Sequence, residues 1–228
     1  MTKLIYANEL AEKVSFIYIK NYEPQNIEYN YKVIPMIKND DLWEVDVNLE
    51  SGTPYRFEIN DSFSLVDPYA LKNIFIQGKS YWSAFQPFYS EIPSLPIVED
   101  ICICKELNEH LEPVEVVDII TPLDTRVLCW IFLTEIKKNI IVSMVWRNHK
   151  KVYTAGDMHL EYIGTKTRKV FMGIEIGNIL ESNYFEQGDC FVDIYVNGNL
   201  EYTTIFRINK LQNYSNKVNC YTKFNVKV

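Results

Sequence analysis

Trp43-Glu-Val-Asp-Val-Asn-Leu-Glu-Ser-Gly-Thr-Pro-Tyr-Arg-Phe-Glu-Ile-Asn-Asp-Ser-Phe-Ser-Leu-Val-Asp-Pro-Tyr-Ala70 holds two alternating runs separated by a glycine turn. Trp43, Val45, Val47 and Leu49 alternate with Glu44, Asp46 and Asn48, and Tyr55, Phe57 and Ile59 alternate with Arg56, Glu58 and Asn60. A period of two with one polar face is what a half-buried strand needs, because successive side chains leave the pleat on opposite sides. Ser51-Gly52-Thr53-Pro54 supplies the turn between the two strands. Trp43 belongs to the core on its alternating face.

The same period recurs on both sides of this segment. Val14 to Ile19 reads as a strand, and Ile27, Tyr29, Tyr31 and Val33 alternate with Glu28, Asn30 and Lys32. Strands of five to seven residues with one solvated face predict antiparallel sheets over residues 1–85. Five of the nine prolines then fall between residues 87 and 122, and none lies beyond. Proline removes a ladder donor and fixes φ, so residues 86–115 read as a connection with short ordered pieces.

Strand patterning resumes over 116–228. Arg126 to Thr134 is apolar enough for a central strand buried on both faces. Ile140, Val142, Met144 and Trp146 form an alternating set, as do Val170, Met172, Ile174 and Ile176. Cys190 to Val196 runs into Asn197-Gly198, and Leu200 to Ile208 returns; Asn-Gly between alternating runs predicts a type I′ hairpin. Cys129, Trp146 and Cys190 follow the order seen in antibody-type domains, with Gly188 where a tyrosine usually stands. The expected fold is therefore all-β, two tandem immunoglobulin-like β-sandwich domains joined by a Pro-containing connection.

Composition narrows the function classes. A net charge of −7 disfavours a phosphate-tracking nucleic-acid binder, which needs a basic surface. No apolar run approaches the length that spans a bilayer, and Glu9 and Glu12 interrupt any signal-like segment. The expectation is a cytoplasmic chain with no nucleic-acid or membrane partner. Five cysteines lack framework or zinc spacing and read as buried free thiols.

No phosphate-cradling glycine loop or nucleophile elbow occurs. His149 and His159 flank an expected hairpin at Tyr153 to Asp157, and with Asp157 they are the one group suited to metal or acid–base chemistry. The adjacent acid pairs Asp40-Asp41 and Glu99-Asp100 would face opposite ways on a strand, unlike a glycosidase dyad. The chain is expected to be a non-enzyme with no cofactor, no catalytic residues and no metal site.

From about Val14 to Ala70 the sequence resembles family 48 carbohydrate-binding modules. These are the early-set sandwiches of isoamylases and branching enzymes and the glycogen-binding domain of AMP-activated kinase β subunits. Trp43, Val45, Gly52, Tyr55, Phe57, Ile59 and the closing Asp67-Pro68-Tyr69-Ala70 carry the likeness. The loop at 20–27 has no tryptophan, and Phe63 stands nearest to a glucan-stacking position. The resemblance implies an α-glucan ligand such as glycogen or starch.

Such a ligand needs exposed flat rings with polar groups at their edges. Phe63, Tyr69, Lys72, Tyr81 and Trp82 are the candidates, with Asn73 and Gln77 as hydrogen-bonding partners. Tyr81-Trp82, with Phe85, Phe88 and Tyr89, is the densest aromatic group; its rings could equally cover an edge or cement a contact between domains. The alternative to glucan binding is a protein-interaction or assembly module with no carbohydrate ligand.

Overall fold

The computed structural model describes residues 1–26, 28–87, 95–121, 124–176 and 186–209. These residues hold no helix, and so none long and apolar enough to cross a membrane. The first half contributes β1 (Thr2–Ala7), β2 (Val14–Lys20), β3 (Asn30–Pro35), β4 (Ile37–Asn39), β5 (Leu42–Val47), β6 (Pro54–Ile59), β7 (Phe63–Leu65), β8 (Asn73–Ile76) and β9 (Ser80–Ala84). They form a three-stranded sheet, β1-β5-β4, and a six-stranded one ordered β3-β2-β6-β9-β8 with β7 also on β6. Leu4, Tyr6, Trp43, Val45 and Val47 from one sheet meet Val14, Phe16, Tyr55, Phe57 and Ile59 from the other in a single core. Alternation produces this directly, since every second residue of β1, β2, β5 and β6 turns an apolar side chain to this core.

The segment at 48–53 turns the chain as its glycine predicts, with Gly52 at φ 88. It carries the chain from one sheet to the other, because β5 pairs with β1 and β4 while β6 pairs with β2, β7 and β9. The apolar side of β3 also lies opposite to expectation. Phe16 pairs with Ile34 and Ile17 with Val33, so Tyr31 and Val33 share the outer face of the sheet with Ile17 and Ile19. Register set by β2 overrides the preference of an edge strand for burying its rings. Ile27, which would have extended this strand, lies outside the described residues.

The second half contributes β10 (Ile97–Leu107), β11 (Pro113–Val116), β12 (Ile119–Ile120), β13 (Arg126–Thr134), β14 (Ile140–Arg147), β15 (Val152–Leu160), β16 (Arg168–Glu175), β17 (Gly188–Val196) and β18 (Asn199–Ile208). One sheet is ordered β11-β10-β13-β16 and the other β12-β18-β17-β14-β15. Cys129 on β13, Trp146 on β14 and Cys190 on β17 occupy the early, next and late strands of an immunoglobulin-like sandwich, all inside its core. Cys102, Cys104, Cys129 and Cys190 are free thiols, and Cys220 lies outside the described residues.

Residues 97–107, read from sequence within the connection, are the long strand β10, antiparallel to both β11 and β13. The prolines fit without breaking it: Pro96 precedes the strand and Pro113 opens edge strand β11.

The two sandwiches share a core. Val145 on β14 and Tyr195 on β17 point away from their own sandwich and are buried at 0% and 1% exposure among the rings of the first. The predicted hairpin turn is present, with Asn197 at φ 51 and Gly198 at φ 89, and its tip lies against the first sandwich. Tyr6 donates its hydroxyl to Gly198 O at 3.1 Å, and a Cβ on Gly198 would collide with the Val66 carbonyl.

Candidate functional site

Residues 81 and 82 are adjacent on β9, so their side chains leave the sheet on opposite faces. Trp82 turns to the outer face, where it packs with Ile19 and Ile76 at 8% exposure and donates Nε1–H to Ser80 Oγ at 2.9 Å. Tyr81 turns to the other face, stacked on Phe75 at 4.6 Å and on His159 of β15 at 5.1 Å. These two stacks tie the Tyr81 ring to β8 and to the second sandwich.

Phe63 lies against the opposite end of β6, paired with Ile59, and its ring leans on Tyr195 at 6.1 Å. Tyr69 is half-buried, its N–H bonded to Asp67 Oδ1 at 2.8 Å, and Lys72 is exposed. Gln77 sits in the β8–β9 turn at φ 52, while Asn73 accepts from the Ser83 hydroxyl at 3.2 Å. The five candidates thus divide among three surfaces and share no platform. Phe85 is buried in the first core, and Phe88 and Tyr89 lie outside the described residues.

An aromatic row does exist, and it joins Trp82 to tyrosines that the sequence did not single out as candidates. Tyr31, 50% exposed, stacks on Trp82 with centroids 5.8 Å apart and planes 26° from parallel. Tyr29 follows at 6.5 Å and Tyr22 at 5.5 Å beyond it. Partial burial, with Tyr29 beside it, raises the Tyr22 pKa above its ordinary value. Tyr22 also borders a cleft of about 320 Å³ whose walls include Lys20, Asn21, Asn48, Glu50 and Ser51. The row therefore ends beside a pocket rich in hydrogen-bonding groups. The Tyr-x-Tyr-x-Val period at 29–33 was the available signal; which face it lined depended on register.

His149, His159 and Asp157 do not come together. Residues 152–160 are one continuous strand, and the turn lies at 148–151, held by Asn148 Oδ1 accepting from the N–H groups of Lys150 and Lys151. His149 in that turn packs edge-on against Phe191, while His159 at the far end of β15 pairs with Ile141 and stacks on Tyr81. Asp157 is engaged by Arg56 at 3.1 Å and by the Ser143 hydroxyl at 2.7 Å. Among the described residues no three His, Cys, Asp or Glu side chains are arranged to hold a metal ion. Burial pushes the Cys102 thiol up to about 11 and raises that of Cys104, which keeps both protonated at neutral pH.

Charge is unevenly spread over the junction of the sandwiches. A cleft between β1 and β18 is lined by Glu9, Asp41 and Glu201 with no cation, and desolvation raises the Glu201 pKa. A second cleft, of about 320 Å³, is lined by Lys72, Lys138 and His159 with no carboxylate. A third, floored by Phe63 and Tyr195, mixes both signs, with Arg147 held by Asp193 at 2.5 and 3.0 Å.

No family profile matches this chain, and no curated protein matches it in sequence. Solved structures similar to it in part include three. The alkylpurine DNA glycosylase AlkC of Pseudomonas fluorescens, bound to DNA with an abasic-site analogue, shares 15% identity over 40% of this chain at a TM-score of 0.31, and the match spans only 27% of the glycosylase. An immunoglobulin-like protein of Pseudomonas aeruginosa shares 7% identity at a TM-score of 0.35, over 51% of this chain and 98% of its own. A DUF3823 family protein of Parabacteroides merdae shares 11% at 0.30, over 91% and 98% respectively. At such scores none carries an argument about activity. The tandem all-β sandwich architecture stands on the sheets and cores themselves.

Proposed function

We propose that this chain is a non-catalytic binding protein that holds an α-glucan on the tyrosine row of its first sandwich. The observation that carries this reading is the half-exposed Tyr31 stacked on Trp82, with Tyr29 and Tyr22 continuing the line of rings. A glucan presents flat CH-rich faces for rings to cover and hydroxyls for polar groups at the ring edges. Trp82 is the buried support of this platform, while Tyr31 is the ring a sugar would meet. Lys20, Asn21 and Asn48 stand at the Tyr22 end as hydroxyl partners.

Electrophoresis in gels containing glycogen or amylose tests it. The intact protein should be retarded, Tyr31→Ala should abolish most of the retardation, and Phe63→Ala should leave it unchanged. Equal mobility with and without either glucan removes the reading. A protein-interaction module is the second reading, supported by the outer face of the β11-β10-β13-β16 sheet. There half-buried Phe132 stacks on the buried Trp130, 6.4 Å apart and 8° from parallel, beside exposed Val114 and Val116. A stably co-purifying protein together with absent glucan retardation would establish that alternative.

A further inference from the structure

The cleft lined by Lys72, Lys138 and His159 offers cations without a carboxylate, in a chain of net charge −7. We propose that it is a binding site for a small phosphate monoester, recognised through its phosphoryl group. Its walls come from both sandwiches: residues 70–73 on one side, and residues 138–141, His159 and Asn197 on the other.

Three features point to an oxyanion. The first is the state of the cations. Lys72 and Lys138, like several surface lysines, make no ion pair among the described residues, but these two line one cleft whose walls carry no carboxylate. Partial burial lowers the Lys138 pKa, and no carboxylate offsets it. An ammonium without a counter-ion is stabilised by an anion that enters beside it. The nearest acid on the same face of β15, Asp157, is already engaged by Arg56 and Ser143.

The second feature is the asparagines. Asn73 Oδ1 accepts from the Ser83 hydroxyl, Asn139 Oδ1 from the Tyr162 N–H and Asn197 Oδ1 from the Ile141 N–H. With each carbonyl oxygen turned to the protein, what these amides have left over is their donor NH₂ ends. Amide donors and ammonium groups of this kind complement the acceptor oxygens of an anion.

The third is size and charge. A volume of about 320 Å³ suits a small ligand and not a polymer. A phosphate monoester carries a charge of about −1.5 to −2 at neutral pH, which two lysines match and a single carboxylate would not. His159 is held in place by its stack on Tyr81. The site is independent of the glucan reading, since the tyrosine row lies on the outer sheet face and includes none of these residues.

The test is calorimetric titration with inorganic phosphate and with a hexose monophosphate. The unphosphorylated hexose and sodium chloride at matched ionic strength serve as controls. Saturable binding of both phosphate compounds and none of the controls is expected. Lys72→Met and Lys138→Met should each weaken binding about tenfold, the loss of one charge-assisted hydrogen bond, and exposed Lys79→Met should not change it. Both site lysines are exposed, and a thermal melt of each variant verifies folding. No saturable binding of either phosphate compound, or equal affinity in the Lys72→Met/Lys138→Met double variant, overturns the proposal. Phosphate binding with no glucan retardation would leave this site standing and remove the other.

Discussion

Gly198 answers two demands at once. Its φ of 89 is one that L side chains avoid, as the Asn-Gly hairpin requires. Its missing Cβ also lets the hairpin tip press against the Val66 carbonyl and receive the Tyr6 hydroxyl. Alanine there would meet left-handed strain and a backbone collision together. Gly198→Ala should therefore lose about 2–4 kcal/mol of stability, read as a fall in urea midpoint. Gly164→Ala is the control, because its φ is 87 and no atom lies near its Cβ, so it meets the strain alone. Equal losses in the two variants would show that contact with Val66 is unimportant. The turn was legible in the sequence because Asn-Gly chemistry is local. The contact was not, because Val66 and Gly198 are far apart in the chain.

At the scale of elements, β8 and β9 hang on few contacts. Their hairpin joins β6 through only Pro54–Ala84 and Tyr55–Ser83, and its own apolar cluster is Trp82, Ile76 and Ile19 with partly buried neighbours. Trp82→Ala should cost about 3 kcal/mol and act locally. Amide exchange at Ile74, Ile76 and Trp82 should accelerate, while exchange at Phe57 and Val142 tracks global unfolding. Uniform acceleration over both sandwiches would refute the local hairpin. This element also shows where sequence reading ran out. Alternation marked β2, β5, β6, β13, β14, β17 and β18 because each has apolar residues at every second position or throughout. It marked β10 only as short ordered pieces of a connection, because the flanking prolines looked like a break, and it could not tell which face of β3 was buried. Face is decided by pairing with β2, a tertiary fact. Tyr22, Tyr29 and Tyr31 were therefore visible as residues and invisible as a surface, and Trp82 was seen as a platform when it is the support beneath one.

For the whole molecule the decisive feature is that the two sandwiches are not separately packed. Val145 and Tyr195 complete the first core from the second sandwich, and Arg56 on β6 reaches across to Asp157 on β15. Arg56 also donates to the Ser64 carbonyl, while its Nε has no hydrogen-bond partner among the described residues. Burial lowers the Arg56 pKa and Asp157 opposes that shift, so the pair is mutually dependent. Removing one member leaves the other charge buried without its partner, which costs about 3–5 kcal/mol, whereas replacing both by apolar side chains costs much less. Arg56→Met and Asp157→Leu should each lower the urea midpoint strongly, and the double variant should recover much of the loss. Because the cores interlock, intrinsic fluorescence and far-UV circular dichroism should report one coincident transition in the intact protein. Two resolved transitions, or strictly additive effects of the two substitutions, would show that the sandwiches fold independently. In that case the Lys72–Lys138 cleft, whose walls come from both, would not be held open by the fold before a ligand arrives.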